Sequence, residues 1–553
     1  MIAFVSGISG LDLTIVVGYI LGITALGCYA GMRKKGAENR SKEYFLAGGH
    51  LKWPMIGLSL FATNISCYHL VGLAENGFTT GLLYGNFEWM AVFTLALLAL
   101  FFVPFYLRSK VATLPDFLEK RFDRASRDWL AVLSIVSSIV IHITFSFVAG
   151  GAVLHSLFGW DEYTAILTIA CITGLYTIIG GLAAVVWTET IQTVVLLGGA
   201  AAITIACWMK TGGWAPVADT IATTGETSRL SMLQTSGEMP WYAVALGYPV
   251  LGIWYWCADQ TIVQRVLGAK DEHHARLGPL FAGVLKILPV FVFVVPGMFA
   301  WALWKHGQLD LSSITVAGKV NTKELYTTMI LQLLPPGLVG LLVAALLAGL
   351  MSNVAASLNS ISTLASFDLY KRNKPDAPDA HVLRVGRFTA GIALVLGVAS
   401  YYAAKQYANL FSGINDVISH IAPPITCVFL FGVFWGRASA FAAKWTLWLG
   451  SALGAGVFAA GKLLPPGSTN PVLHFLTATP FMMMAFWLFC ACCAIMFVLS
   501  LMRPQVHTGE SSTLYWKSPL EPLRQPGLPG LRDYRLLTAL LIAAMCTLYY
   551  VFR

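Results

Sequence analysis

The chain has 553 residues, of which 57% are hydrophobic and 11% are charged, and its formal net charge is +9. A soluble domain is about 25% charged, so this composition excludes an ordinary soluble protein and predicts an integral membrane protein. The basic residues lie beside apolar segments, which argues against nucleic acid as a partner. The ten cysteines lie within apolar segments and are interpreted as small buried hydrophobes, not as a disulfide framework.

Long apolar runs predict about fourteen membrane-spanning helices, because roughly 20 apolar residues are needed to cross the hydrocarbon core. The predicted spans lie near residues 11–32, 53–75, 80–107, 128–155, 163–180, 184–208, 241–259, 279–304, 328–366, 382–404, 411–434, 439–461, 475–502 and 533–552. Lysine and arginine concentrate in alternate loops, so the positive-inside rule puts both chain termini outside. The segment 328–366 is too long for one upright crossing and is expected to tilt or to extend into the cytoplasm.

An internal repeat is suggested by two groups of five spans, which begin at residues 53 and 241. The two groups would have opposite orientations in the membrane. Each begins with a polar span that contains glycine, NISCYHLVG in the first and LGIWYWCADQ in the second. Inverted repeats of this kind are typical of secondary transporters.

Residues 61–90 are apolar enough for a membrane, yet they contain Asn64, His69 and Glu88 and are interrupted by glycines. Polar groups are costly in hydrocarbon and normally face a partner, a cavity or a substrate path. If the helix unwinds near Asn64 to Ser66, its freed carbonyls can hold a cation. His69 and Glu88 suit a neutral polyhydroxylated ligand. The alternative is that these small polar residues only form hydrogen bonds between packed helices.

Two further groups point to a sugar. The rings of Tyr255 and Trp256 lie beside Asp259 and Gln260, and an aromatic ring can pack against the flat face of a pyranose. An aromatic belt at the membrane interface is an equal alternative. Lys286 lies inside an apolar run, where it needs a counter-charge or a ligand acceptor. Snorkelling of Lys286 to the interface is the alternative.

Other polar residues in apolar segments are candidates for cation binding. Ser352 and Asn353 offer hydroxyl and amide oxygens, which are the ligands of hard cations. Glu189 could bind a cation or relay a proton. Asn415 precedes Pro423–Pro424, and this double proline is expected to break the helix. The sequence contains no P-loop, HExxH or strand-to-helix GxSxG motif, so we expect no enzyme and no cofactor. Uphill transport would then draw on an ion gradient.

At these residues the chain resembles the sodium/solute symporter family, and most of all its sodium–glucose (galactose) cotransporter branch. The motifs that carry the resemblance are FLAGG (45–49), NIS…HLVGLA…G (64–77), FEWM (87–90), GGLAAVVWTE (180–189), WYWCADQ…VQR (254–265), LK…P (285–289), LMSNVAASLNS (350–360), SFDLY (366–370), APPI…FWGRAS (422–439) and SPLEPL (518–523). The resemblance implies an all-α polytopic membrane protein with LeuT-type inverted five-helix repeats. It also implies a location in the plasma (inner) membrane.

The resemblance divides the chain into four parts. Residues 1–52 hold a first extra helix and a cytoplasmic loop, and residues 53–240 hold the first inverted repeat and an outer loop. Residues 241–435 hold the second inverted repeat, and residues 436–553 hold three additional helices.

The resemblance also assigns site residues. The sodium site falls on Ala62, Ile65, Gly349, Ser352 and Asn353. The sugar site falls on Asn64, His69, Glu88, Tyr255, Trp256, Lys286 and Asn415. Leu73, Phe87 and Phe411 take the outer gate and Tyr255 the inner gate. Three positions depart from the family's pattern: Asn353 replaces a serine, Glu189 an aspartate and Asn415 a glutamine, which leaves a second cation or a proton role possible at Glu189.

The sequence therefore predicts a symporter that couples sodium influx to uptake of a hexose such as glucose or galactose. Its expected partners are the sodium ion, the sugar and the lipid bilayer. Glu88 opposes Lys286, which favours a neutral ligand. The alternatives are a symporter for inositol or another polyol, a carboxylate or an amino acid, and a sugar sensor or uncoupled cation conductance.

Overall fold

The computed structural model describes residues 8–32, 40–237, 239–405, 410–464, 470–525 and 529–553. These residues are mainly helical. The sheet found among them is one small antiparallel hairpin of β1 (Thr315–Val316) and β2 (Lys319–Val320). The all-α architecture that the resemblance implies is confirmed.

The amino-terminal part of the chain forms eleven of the helices that the structure describes. They are α1 (Gly10–Met32), α2 (Arg40–Leu46), α3 (Trp53–Asn64), α4 (Cys67–Thr80), α5 (Asn86–Leu97), α6 (Val103–Arg108), α7 (Leu114–Arg121), α8 (Arg124–Ser137), α9 (Phe145–Phe158), α10 (Glu162–Thr211) and α11 (Ala215–Thr224). Wider π-helical turns join α5 to α6 and α8 to α9.

The rest of the chain continues the bundle. Its helices are α12 (Trp241–Ile253), α13 (Gln260–Leu267), α14 (Glu272–Leu285), α15 (Val295–Lys305), α16 (Leu325–Leu333), α17 (Leu338–Leu364), α18 (Asp379–Ala399), α19 (Tyr401–Ala404), α20 (Leu410–Phe434), α21 (Ala440–Leu463), α22 (Pro471–Ala478), α23 (Phe481–Met502), α24 (Glu521–Arg524) and α25 (Tyr534–Val551). Almost every residue of α17 is buried, so this helix lies at the centre of the molecule.

Ten helical segments of the described chain are long and apolar enough to cross a membrane. They contain most of the predicted spans. The spans predicted near 163–180 and 184–208 both lie in α10, which kinks at Gly181, where φ is +62°. The spans predicted near 53–75, 241–259 and 439–461 are also helical, as α3–α4, α12 and α21. The total number of crossings, the four-part division and the outside position of the termini stay predictions.

The expectation of one long tilted helix over 328–366 is wrong, because two helices, α16 and α17, occupy this segment. The break contains Pro335 and Pro336, and the residue before a proline is driven out of the helical conformation. Gly337 follows with φ +91°, a value that glycine adopts without strain.

The break expected at Pro423–Pro424 is also wrong, because α20 runs through both prolines without interruption. A proline lacks the N–H that would bond the carbonyl four residues before it. For Pro424 that carbonyl belongs to His420, and it points at α21: a Cβ atom added to Gly454 would lie 2.2 Å from the His420 oxygen. Close packing by a neighbouring helix lets a membrane helix tolerate proline.

Two helix interruptions define the centre of the bundle. The first separates α3 from α4 at Ile65 and Ser66, which are both extended, and confirms the expected unwinding near Asn64 to Ser66. The second follows a π-helical turn at Trp254–Ala258, where Asp259 is extended and its carboxylate caps α13. Each interruption lies in the first span of a predicted repeat, as discontinuous helices do at transporter sites.

Candidate ligand and cation site

A carbonyl oxygen is freed where α3 ends. In a continuous helix the Ser66 N–H would bond the Ala62 carbonyl, but here it donates to Nδ1 of His69 at 3.2 Å. The Ala62 oxygen instead accepts a hydrogen bond from Oγ of Ser352 at 2.9 Å. The Ile65 carbonyl also loses its helical partner. In a continuous helix the His69 N–H would bond this carbonyl, but here it donates to the Ser66 carbonyl oxygen at 2.9 Å.

Helix α17 approaches this break closely. A Cβ atom added to Gly349 would lie 3.2 Å from the Cys67 nitrogen, so glycine permits the approach. The hydroxyl of Ser352 bonds the carbonyl oxygens of both Ala62 and Gly349, the latter at 3.1 Å. Three oxygens therefore converge at a fully buried point, and oxygens are the ligands that hard cations require.

Asn353 lies next to this oxygen cluster in the sequence and is completely buried. Its amide lies beside the Tyr68 hydroxyl, and neither amide atom makes a well-formed hydrogen bond with a described residue. A buried amide without well-formed hydrogen bonds is costly, and a cation could use its oxygen. All five residues assigned to sodium from the sequence thus lie at the break or on the part of α17 that packs against it.

A cavity lies on the other side of the same break, between α4, α5, the π-helical turn before Asp259, the end of α14 and α20. It is lined by Asn64, Tyr68, His69, Phe87, Glu88, Tyr248, Leu251, Gly252, Tyr255, Trp256, Lys286, Ile414, Asn415 and Ile418. Every residue assigned to the sugar from the sequence is among these. The structure therefore brings together side chains that are far apart in the chain.

The charges in this cavity compensate each other. Nζ of Lys286 lies 2.5 Å from Oε2 of Glu88 and also donates to Oδ1 of Asn64. Lys286 and Glu88 are each only 1% exposed. The ammonium also lies 5.5 Å from the Trp256 ring centre, within cation–π range. The pair leaves the cavity without net charge, and this explains the mid-span lysine better than snorkelling does.

The polar edges of the cavity are set by local structure. His69 accepts the Ser66 N–H through Nδ1, so its proton lies on Nε2 and the ring offers a donor there. Tyr255 lies in the π-helical turn, and such turns occur often at functional sites. The Tyr255 hydroxyl is buried beside the Asn64 side chain.

The predicted outer-gate residues differ in their position relative to the cavity. Phe87 lines the cavity and its ring stacks on Phe481, with centroids 6.3 Å apart and ring planes 10° apart. Leu73 is buried on α4, one helical turn beyond His69, but it is not part of the cavity wall. The side chain of Phe411 lies outside the described residues.

Glu189 lies in a buried network of its own. Its carboxylate pairs with Nη2 of Arg265 at 2.8 Å and accepts hydrogen bonds from Thr63, at 3.0 Å, and from Ser59. Glu189 and Arg265 are both 0% exposed. The network ties α10 to α3 and α13, and it compensates the charge that made Glu189 a candidate for cation binding.

Sequence reasoning missed several participants, among them Arg265, Tyr68 and Tyr248. Arg265 reads as a residue at the cytoplasmic edge, although a buried Glu189 requires a nearby counter-charge. Tyr248 supports the cavity by donating to the Phe87 carbonyl at 3.0 Å. Tyrosines in apolar spans are common, and the sequence contains no signal that separates these two from the others.

Comparison with known proteins adds independent information. A model of the sodium:solute symporter family matches residues 44–450. The sodium/mannose cotransporter SLC5A10 of Bos taurus is 33% identical over 539 residues, which cover 91% of this chain and 89% of that protein. The sodium/glucose cotransporter 2 of Rattus norvegicus is 35% identical over 470 residues, which cover 79% of this chain and 69% of that protein.

Among solved structures, a Na⁺-coupled sialic acid symporter in a substrate-bound outward-open state has a TM-score of 0.75. It is 22% identical, and the match covers 90% of this chain and 100% of that chain. At this identity the likeness concerns the fold. It confirms the predicted fold class, a polytopic helical protein of LeuT type.

The Glu189–Arg265 pair yields a stability prediction. Arg265→Leu leaves a buried carboxylate unpaired, and breaking a buried pair in this way costs about 3–5 kcal/mol. We expect a lower apparent melting temperature of the purified protein in detergent. Adding Glu189→Gln to the same chain removes the unpaired charge and should restore most of the loss, whereas Arg524→Leu, at an exposed arginine, should change little. An Arg265→Leu protein as stable as the parent would contradict the network.

Proposed function

Because the chain belongs to the sodium:solute symporter family, we propose that it couples sodium influx to uptake of a hexose such as glucose or galactose by alternating access. One observation carries the proposal: the oxygen cluster and the charge-compensated cavity share the break at Ile65 and Ser66. The family consists of transporters, not enzymes. We place the protein in the plasma (inner) membrane, where a sodium gradient is available.

The proposed sodium site comprises the carbonyls of Ala62, Ile65 and Gly349 with the side chains of Ser352 and Asn353. The hydrogen bonds of Ser352 to Ala62 and Gly349 support it, because they already draw three oxygens together. A bound ion would connect the broken span to α17. Sodium then favours one arrangement of these helices, and it does so only by the difference in its affinity for the two states.

The proposed sugar site uses both members of the ion pair. Glu88 would accept hydrogen bonds from hydroxyls, while Lys286 and Nε2–H of His69 would donate to oxygens. Asn64 and Asn415 offer both donors and acceptors. The Tyr255 ring, beside Trp256, would pack against the sugar face. A neutral ligand leaves the pair intact, whereas a carboxylate would compete with Glu88 for Lys286, which supports a hexose over an anionic substrate.

Access to the site would alternate between two gates. We assign the outer gate to Leu73, Phe87 and Phe411 and the inner gate to Tyr255. The stacking of Phe87 on Phe481 links the outer gate to α23. Glu189 remains our candidate for a second cation or a proton, and such a role requires that Arg265 first leave its carboxylate.

The function is tested by uptake into proteoliposomes. Labelled glucose and galactose should accumulate inside above the external concentration when an inward sodium gradient is imposed. Accumulation should disappear when the sodium gradient is collapsed, and an inward proton gradient alone should not replace it. If neither sugar accumulates under a sodium gradient and neither accumulates under a proton gradient, the symport proposal is contradicted.

The cation site is tested by Ser352→Ala. Loss of one oxygen ligand should raise the sodium concentration for half-maximal uptake roughly tenfold, which corresponds to about 1.4 kcal/mol. Ser357→Ala is the matched control, because the Ser357 hydroxyl donates to the Asn353 carbonyl within the same helix at 2.9 Å. Equal sodium dependence in Ser352→Ala and the parent would reject the site.

The sugar site is tested by Glu88→Gln and Lys286→Ala. Each should abolish sugar uptake, since each removes a hydrogen-bonding partner and leaves a buried charge unpaired. The double variant Glu88→Gln/Lys286→Met removes both charges, so it should regain thermal stability while uptake stays lost. Glu510→Gln makes the same change at an exposed carboxylate and should transport normally. Normal uptake by either single variant would move the sugar site elsewhere.

A further inference from the structure

An apolar groove lies on the outside of the bundle, and none of its lining residues lines the cavity described above. It is lined by Trp53, His273, Leu277, Leu280, Phe281, Val284, Ile287, Arg532, Leu537, Leu540, Leu541 and Ala544. The groove residues of α14 and α25 recur at intervals of three and four, so each helix presents one apolar stripe. The two stripes form the floor of the groove.

The groove has definite walls. The Trp53 ring packs edge-to-face on Phe281 at 5.1 Å and closes the side toward α3. Helices α14 and α25 pack closely at Gly283, where an added Cβ atom would lie 2.9 Å from Leu541. Val284 and Leu540 remain 50% and 52% exposed within the groove. These side chains lie in the predicted membrane, so acyl chains are the available cover.

The two ends of the groove differ in chemistry. His273, Arg532 and Trp53 lie at the end that the positive-inside rule predicts to be cytoplasmic. The other end is entirely apolar. From His273 to Val284, α14 rises about 17 Å at 1.5 Å per residue, close to half of the roughly 30 Å hydrocarbon core. The groove thus has the length of one leaflet, with its polar end at the headgroups.

Arg532 is available for a ligand. Its neighbour Asp533 is engaged by Arg535, with Nη2 and Oδ2 2.5 Å apart. Among the described residues no carboxylate lies within ion-pair distance of Arg532, and its side chain is exposed. Two acidic residues precede His273 in the sequence, Asp271 and Glu272. The Asp271 carboxylate caps α14 by accepting a hydrogen bond from the His274 N–H at 2.9 Å.

More positive charge surrounds this end. Lys52 precedes Trp53, and the Lys270 N–H donates to the Leu51 carbonyl at 2.9 Å, so the backbone of two further basic residues runs near this end of the groove. Glu272 is already paired with Arg276 at 2.7 Å. Basic pockets between membrane helices on the cytoplasmic side are typical binding sites of anionic lipid headgroups.

We propose that this groove binds an anionic phospholipid of the bilayer, with one acyl chain between α14 and α25 and its phosphate at Arg532 and His273. The deep end of the groove is Ile287, next to Lys286 of the cavity, and the Trp89 indole donates to the Ile287 carbonyl at 3.3 Å. Helix α14 ends at Leu285, and Lys286 and Ile287 form a turn. The lipid would therefore support this turn from outside. The proposal does not depend on which substrate the protein transports.

The proposal is tested by native mass spectrometry of the full chain in detergent. Phosphatidylglycerol and phosphatidylcholine with identical acyl chains are titrated separately, and the fraction of protein that retains one lipid is measured. We expect phosphatidylglycerol to be retained at lower concentration. Arg532→Ala should raise its half-saturating concentration about fivefold, the effect of one basic residue near an anionic surface. Leu540→Trp, which fills the groove, should reduce retention of both lipids.

Matched controls come from neighbouring positions. Arg524→Ala removes an exposed arginine outside the groove lining, and Cys546→Trp enlarges an exposed residue that lies at least about 120° around α25 from every groove residue of that helix. Both should retain phosphatidylglycerol like the parent. Equal retention of the two lipids, or an unchanged half-saturating concentration in Arg532→Ala, would overturn the proposal. Thermal unfolding of each variant checks the fold, and Arg532→Ala alters only an exposed side chain.

Discussion

The interruption of one buried helix at Ile65 and Ser66 organises this molecule. In a membrane interior every backbone polar group must be satisfied by the protein or by a ligand. The break turns the Ser66 N–H toward His69 and leaves the Ala62 carbonyl to Ser352. One local event thus orients the histidine toward the cavity and gathers oxygens on the side of α17, so the two proposed ligand sites are consequences of the same break.

Two buried ion pairs complete this arrangement. Glu88 and Lys286 compensate each other inside the cavity, and Glu189 and Arg265 do so beside Ser59 and Thr63 of α3. Buried pairs contribute little net stability but are expensive to break. Each pair therefore joins helices that are distant in the chain, and a movement that separates the partners needs a substitute charge. A neutral sugar can bind while Glu88 and Lys286 stay paired, and this is a physical reason why it suits the cavity.

The sequence predicted the fold class, the break and the residues that meet in the cavity. Polar residues in an apolar run are visible without structure, and the glycines that interrupt residues 61–90 pointed to a broken helix. The two double prolines show the limit. Pro335–Pro336 interrupts a helix and is followed by Gly337 at φ +91°, whereas α20 continues through Pro423–Pro424 where α21 packs closely at Gly454. Only tertiary packing distinguishes the two, and likewise only packing identifies Arg265 as the partner of Glu189.

The central claim is that sodium and sugar share the break at Ile65 and Ser66. Equilibrium binding of labelled galactose and of ²²Na⁺ to the purified protein tests it most directly, each measured with and without the other ligand. Thermodynamic linkage requires that sodium strengthen galactose binding by the same factor by which galactose strengthens sodium binding. We predict equal factors greater than one, reduced toward one in Ser352→Ala. Galactose binding that is unaffected by sodium would contradict the account.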